Sequence, residues 1–368
     1  MTHLSRKSAI AALATLSAAA LTLAGCAAAP TPSGSGSGAK SSFLPCMVSD
    51  SGGFDDKSFN QLGFEGLVAG AKKVGVSYQK RESNSDSDYA PNIDSLIKAK
   101  CSLIITVGFN LSKATVAAAK ENPKIDFAII DDAADNNFDG KTDAPNIKPI
   151  LFDTAQAAFL AGYASASVTK TGVLGTFAGI PFPTVTIFMD GFSQGMTYYN
   201  EQKGKNVKLV GYDPAAPDKA TQVGEFAAGD KAKQVAQSII DQNADVILPV
   251  GGPIFQSAGA AIQDSGKDIA LLGVDADTYV TAPTYKKLYL TSILTDMSQA
   301  VQDVVANSKG SSTFDVTPYV GTLKNGGVGI APFHDYDSKV SSATKSELKD
   351  IQSKIISGEI KVTSYLNK

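Results

Sequence analysis

The chain is poor in the residues that most enzymes and nucleic-acid binders rely on. In 368 residues there is no tryptophan, and there are only two histidines and three cysteines. One histidine, His3, falls in an N-terminal leader, so a histidine-rich zinc site is excluded and any metal would need carboxylates. No Gly-x-x-x-x-Gly-Lys-Ser/Thr loop occurs, so a phosphate-gripping ATPase motif is absent from this chain. Basic residues number 33 against 36 acidic ones, a balance that argues against a nucleic-acid surface. Beyond the leader, no apolar run approaches the roughly 20 residues that a membrane-spanning helix needs.

What is present begins with export. Arg6 and Lys7 precede an apolar run from Ala9 to Leu23, and Leu23-Ala24-Gly25-Cys26 then reads as a bacterial lipoprotein signal. A chance cysteine beside an ordinary secretory leader is the plainer alternative. The tract Ser33-Gly34-Ser35-Gly36-Ser37-Gly38, a flexible tether, weighs against it. The expectation is a leader over residues 1–25, lipid on Cys26, and an anchor and linker over residues 26–42. Losing the leader leaves 31 basic against 36 acidic residues, a net charge of −5. A monomer on the extracytoplasmic face of the cell membrane is expected, held there by lipid alone.

Cys46 and Cys101 are the remaining cysteines. An oxidising compartment permits a disulfide between them, and two buried free thiols are the alternative.

The body alternates strand and helix patterns. Apolar or β-branched runs recur at Leu44 to Ser49, Ser102 to Val107, Asp126 to Ile130, Lys148 to Phe152, Gly172 to Phe177, Val207 to Tyr212, Asp245 to Val250, Ile269 to Val274 and Tyr289 to Leu294. Their near-continuous apolar character suits parallel strands covered on both faces. Phe64, Leu67, Val68 and Ala71 share a helix face, as do Val235, Ala236, Ile239 and Ile240. Strand then helix, repeated, implies an α/β fold. A second strand-to-glycine start at Leu174 to Gly179, after the first at Val48 to Gly53, divides the chain into two Rossmann-like lobes. Residues 43–153 plus about 296–318 form lobe 1, and 154–295 plus about 319–368 form lobe 2. A multi-strand hinge is expected near Leu151 to Thr154, Asp275 to Thr278 and Ile293 to Asp296. Thr322 to Val328 reads as a hairpin around an Asn-Gly turn. An amphipathic helix through Leu348, Ile351, Ile355 and Ile356 follows.

Open α/β sheets bind ligands beyond the carboxyl ends of their strands, and there the chemistry-bearing residues fall. Asp50 to Gln61 joins a strand-tip carboxylate, two glycines and an aromatic beside an amide. Asp50 can accept hydrogen bonds, Asn60 can donate and accept, and Phe59 offers a flat face. The plain alternative is a capping turn, with Asp55 or Ser58 on the helix amides and Phe59 in the core. Gly108-Phe109-Asn110, Asp131-Asp132, Gly251-Gly252 and Asp275 are similar tips. Together they suit a polyhydroxylated, partly aromatic ligand.

An enzyme reading also has a motif. Gly191-Phe192-Ser193-Gln194-Gly195 matches the hydrolase elbow Gly-x-Ser-x-Gly, with His334 later in the chain. An elbow needs a strand ending at Ser193, whereas Phe188, Phe192, Gly195, Met196 and Tyr199 describe a continuing helix face. His334, near Pro332, reads as a hydrogen-bonded turn residue. The expectation is that the protein is not an enzyme and holds no cofactor.

The segments from about Leu44 to Phe333 resemble the basic membrane protein family of ABC-transporter substrate-binding lipoproteins, which includes purine nucleoside receptors. The resemblance rests on Asp50 to Gln61, with one glycine more than the family signature, and on Gly108-Phe109, Ala128 to Asp131, Phe159 to Tyr163, Gly191-Phe192 with Gly195, Asp245-Val246-Ile247, Gly273-Val274-Asp275 and Thr291 to Leu294. It implies a type I periplasmic-binding-protein fold that closes on a nucleoside and hands it to a permease whose ATPase is another subunit. Phe59 and Phe226 match the two stacking aromatics. Asp50, Asp131 and Asp275 match the carboxylates for ribose or base, with Asn60 and the Gly251-Gly252 backbone completing the contacts. The family pattern has a lysine where this chain has Thr295, followed by Asp296, which leaves the choice of base or sugar open. A sugar receptor of the same fold is the alternative ligand class.

Overall fold

The computed structural model describes residues 43–367. The expected leader, the Cys26 anchor and the linker lie outside the described residues.

The first half of the chain runs β1 (Pro45–Val48), α1 (Phe59–Val74), β2 (Gln79–Arg81), α2 (Tyr89–Lys98), β3 (Leu103–Val107), α3 (Ser112–Glu121), β4 (Asp126–Ile130) and β5 (Ile147–Phe152). After α4 (Thr154–Val168) come β6 (Val173–Ala178), α5 (Pro183–Lys203), β7 (Lys208–Val210), α6 (Asp230–Asp241), β8 (Val246–Val250), α7 (Ile254–Ser265), β9 (Ala270–Asp275), α8 (Thr278–Thr281) and β10 (Tyr289–Thr295). The chain ends with α9 (Met297–Ser308), β11 (Tyr319–Gly321), β12 (Val328–Ile330) and α10 (Ser342–Ser357).

Two six-stranded sheets result, ordered β2-β1-β3-β4-β5-β11 and β7-β6-β8-β9-β10-β12. Every pairing is parallel except β10 with β12. The central strands β1, β3 and β8 are buried along their whole length, which is why they read as continuous apolar runs rather than as alternation. In both sheets the strand order reverses beside the first strand, between β1 and β3 and between β6 and β8. Such a switch point opens a crevice at the strand ends, so the topology alone locates one crevice in each sheet.

The helices are held close by glycines. A Cβ at Gly195 of α5 would lie 1.9 Å from the Phe159 carbonyl oxygen of α4, and one at Gly191 would lie 2.2 Å from that of Ala155. The Gly-x-Ser-x-Gly stretch is therefore a helix-crossing motif. Ser193 is buried inside α5 with no strand leading to it, and His334 Nε2 pairs with Asp277 Oδ2 at 2.8 Å while its ring stacks on Tyr279. The hydrolase reading fails on this geometry. Gly66 of α1 gives α9 the same kind of approach, with its Cβ position 2.5 Å from the Ser298 carbonyl oxygen.

The chain passes between the sheets at residues 152–154, 295–297 and 321–328. The expected crossing at Asp275 to Thr278 is not one, because β9 and β10 are neighbours in the same sheet. The expected hairpin at Thr322 to Val328 is instead the third crossing. β11 pairs with β5 in the first sheet and β12 with β10 in the second. A lobe boundary at 318 therefore puts β11 on the wrong side. Its three residues are too few to carry a periodic signal, and their partner lies far away in sequence. The crossings are laced together: Asp153 N donates to Gly321 O (2.8 Å) and Asp296 N to Gly327 O (2.9 Å).

Cys46 and Cys101 form a disulfide, with Cα atoms 6.0 Å apart. Parallel pairing of β1 with β3, which sets Cys46 beside Ile104, brings the start of β3 within reach of Cys46.

Candidate functional site

The switch points of the two sheets face each other across one cavity lined by both lobes. Asp50, Phe59, Asn60, Asp131, Phe226, Gly251, Gly252 and Asp275, all singled out from sequence, line it together. Phe109, from one of the expected strand tips, lines it as well, as do Asp56, Thr184 and Phe188, which were not marked as site residues.

The loop from β1 to α1 builds the floor. Asp56, buried at 4% exposure, caps α1: Oδ1 accepts from Ser58 N (3.0 Å) and Gln61 N (3.1 Å), and Oδ2 from Asn60 N (2.8 Å). The capping role expected of Asp55 or Ser58 therefore belongs to Asp56, while Asp55 is exposed and paired with Lys57. The sequence signal was an Asx residue just ahead of the first helical turn, and two adjacent aspartates hid which one turned inward.

Asn60 braces two acids. Its Nδ2 donates to Asp50 Oδ1 (2.6 Å) and to Asp56 Oδ2 (3.1 Å), and its Oδ1 accepts from Asp50 N (3.1 Å). Both amide hydrogens are consumed inside the protein, so Asn60 acts on the cavity by aiming Asp50. Gly52 N adds a 2.8 Å bond to the same Asp50 oxygen. Asp50 Oδ2, beside Gly108, remains for other donors.

The other two carboxylates have fewer partners. Asp131, at the tip of β4, has no side-chain hydrogen bond among the described residues. Asp275, at the tip of β9, accepts only from Ser58 Oγ (3.1 Å) among the described residues. Both take left-handed backbone conformations, φ 58° and φ 66°, uncommon for a residue with a side chain and met where a strand ends in a functional turn. Burial pushes Asp131 well above the usual carboxylate range, and the nearby Asp275 and Asp132 push it further. Burial raises Asp275 to about 7 against the lowering effect of the Ser58 hydroxyl. It raises Asp50 to about 6, opposed by the Gly52 and Asn60 donors. Among the described residues, no Lys, Arg or His lines the cavity. Thr295, at the position of the family lysine, is buried outside the lining, and Asp296 caps α9 by accepting from Gln299 N.

The aromatic walls come from both lobes. Phe59, half-buried, packs against the core and also borders the cavity. Phe226 rests on glycines: a Cβ at Gly179 or at Gly251 would lie 2.3 Å or 2.6 Å from its Cδ1. Phe109, from lobe 1, meets Phe182 at 4.1 Å and Phe226 at 6.1 Å between ring centroids. The arrangement can hold a flat apolar group between rings and take hydrogen-bond donors on carboxylates.

A family model described as an ABC transporter substrate-binding protein, PnrA-like, matches residues 43–365. Among curated proteins, the chain is similar to the ABC transporter nucleoside-binding protein BmpA of Lactococcus lactis subsp. cremoris, 30% identical over 98% of this chain and 99% of that one. It is also similar to basic membrane protein A of Borreliella burgdorferi, 29% identical over 85% of this chain and 86% of that one. Among solved structures, a solute-binding protein of an ABC transporter system from Aeropyrum pernix K1 superposes with a TM-score of 0.75 at 22% identity, covering 88% of this chain and 93% of that one. That likeness supports the two-lobed α/β binding-protein fold. The chain belongs to the Bmp family of PnrA-like ABC-transporter substrate-binding proteins, a class without enzymatic activity.

Proposed function

We propose that this protein is the lipid-anchored receptor of an ABC importer, capturing a nucleoside, with purine as the preferred base, outside the cell membrane and delivering it to the permease. One observation carries the reading: aromatic rings from opposite lobes and carboxylates with unused oxygens border the same cavity. A nucleoside has the matching parts, a flat base and a pentose whose hydroxyls donate. Phe59 and Phe226 stack on the base, at about 1 to 3 kcal/mol per base. Asp50, Asp131 and Asp275 take ribose hydroxyls or base N–H groups, and Asn60 holds Asp50 in place. Gly251 and Gly252 offer backbone groups close to the ligand because no side chain intervenes. The name of the Lactococcus relative supports the ligand class.

Transport follows from closure. Ligand lands on one lobe, the other folds over it, and the permease distinguishes loaded from empty receptor by shape. The energy comes from a separate ATPase subunit. Lipid on Cys26 keeps the receptor beside the permease.

Calorimetric titration with adenosine, guanosine, inosine, cytidine, ribose and glucose tests the reading. Purine nucleosides are expected to bind most tightly. Binding of ribose or glucose with no nucleoside signal would overturn it in favour of a sugar receptor.

A further inference from the structure

Three hydrogen-bond contacts cross the cleft at one short segment of lobe 1. Ser58, fully buried at the entrance to α1, donates its hydroxyl to the Val274 carbonyl oxygen (3.0 Å) and to Asp275 Oδ2 (3.1 Å). One residue earlier, the carbonyl oxygen of Lys57 accepts from Thr281 Oγ1 at 2.8 Å. Val274, Asp275 and Thr281 all belong to lobe 2, at the tip of β9 and in the short helix that follows.

A serine just ahead of a helix ordinarily spends its hydroxyl on the amides of that helix. Here Asp56 already accepts from the amides of Ser58, Asn60 and Gln61. The Ser58 hydroxyl is thereby released to the opposite lobe, and the acceptor it finds there is a carboxylate of the cavity itself. Asp275 Oδ1 keeps no protein partner among the described residues, so Ser58 holds one oxygen of this carboxylate and leaves the other to the ligand.

We infer that Ser58 is a positioning residue that clasps the closed cleft and orients Asp275 for the ligand, with Thr281 on the Lys57 carbonyl as the second point of the clasp. The ligand half of this inference rests on the receptor reading above; the closure half does not. With the lobes apart, both partners are hydrated. With the lobes together, a buried hydroxyl bonded to a carboxylate replaces two water contacts, and hydrogen bonds to charged groups are the stronger kind. An interaction made only after closure governs how long ligand stays, not how fast it arrives.

The test compares wild type with Ser58→Ala, Ser58→Thr and Thr281→Val by stopped-flow binding of the tightest purine nucleoside. Ser58→Ala is expected to raise the dissociation rate about tenfold, with the association rate within about twofold of wild type. Ser58→Thr, which keeps the hydroxyl, restores most of the residence time. Loss of the Ser58 donor also moves the pH midpoint of affinity upward, because that donor opposes the upward push of burial on Asp275. Small-angle scattering of the ligand-free Ser58→Ala/Thr281→Val protein reads, without any nucleoside, the closed fraction that the empty receptor already samples, and a larger radius of gyration than wild type is expected. An unchanged dissociation rate, a loss confined to association, or an unchanged radius in the double variant overturns the clasp. Failure of the wild-type protein to bind any nucleoside sinks the receptor reading and leaves the scattering comparison to decide the clasp.

Discussion

The ring of Phe226 sits on Gly179, so close that a Cβ at 179 would come within 2.3 Å of its Cδ1. A glycine at the tip of β6 thus places an aromatic that lies 47 positions later in the chain. Gly179→Ala is expected to dislodge the ring and cost nucleoside affinity as much as Phe226→Ala does. Calorimetry on both variants checks this; full affinity in Gly179→Ala would mean that the ring's position is unimportant.

Phe59→Ala should lower nucleoside affinity about tenfold, the lower part of the range for a lost stacking contact. Thermal unfolding of the ligand-free variant should stay near wild type, because the ring only borders the core. A matching drop in melting temperature would show that Phe59 acts through packing.

The cavity acids set a pH dependence with a definite sign. Burial raises Asp50 to about 6 and Asp275 to about 7, and raises Asp131 too. In the unfolded chain such groups titrate near 3.9. The native state therefore binds more protons than the unfolded state between these limits, so stability falls as pH rises through that window. The ligand-free protein should melt at a higher temperature at pH 5 than at pH 8. Asp275→Asn should raise the melting temperature at pH 8 more than at pH 5; parallel curves for variant and wild type would contradict the assignment.

Packing of α4 on α5 leaves no room at Gly195, where a Cβ would meet the Phe159 carbonyl oxygen at 1.9 Å. Gly195→Ala should cost about 2 kcal/mol or more in urea unfolding. Ser193→Ala should leave nucleoside binding unchanged. A stable Gly195→Ala protein would mean that the helices can part at little cost.

The Cys46–Cys101 bridge spans 55 positions, and closing a loop of that length stabilises by about 4 kcal/mol in the chain-entropy account. Cys46→Ala/Cys101→Ala should lower the urea midpoint accordingly, with ligand affinity retained because both cysteines lie away from the cavity lining. An unchanged midpoint would show that the unfolded chain gains little freedom without the bridge.

The sequence by itself determined the alternation of strand and helix, the two sheets, and the segments that end at the cavity. Burial on both faces of a central strand and on one face of a helix writes a local, periodic pattern, and the turn residues at strand tips are local too. The tertiary structure alone decided what each tip residue does. Asn60 brings Asp50 and Asp56 together, Asp56 frees Ser58 for Asp275, Gly179 carries Phe226, and Thr322 to Val328 crosses between sheets instead of folding back. Each of these depends on a partner from a distant or differently folded segment, and hydrogen bonding and close packing are decided by distance in space, which a one-dimensional pattern does not encode.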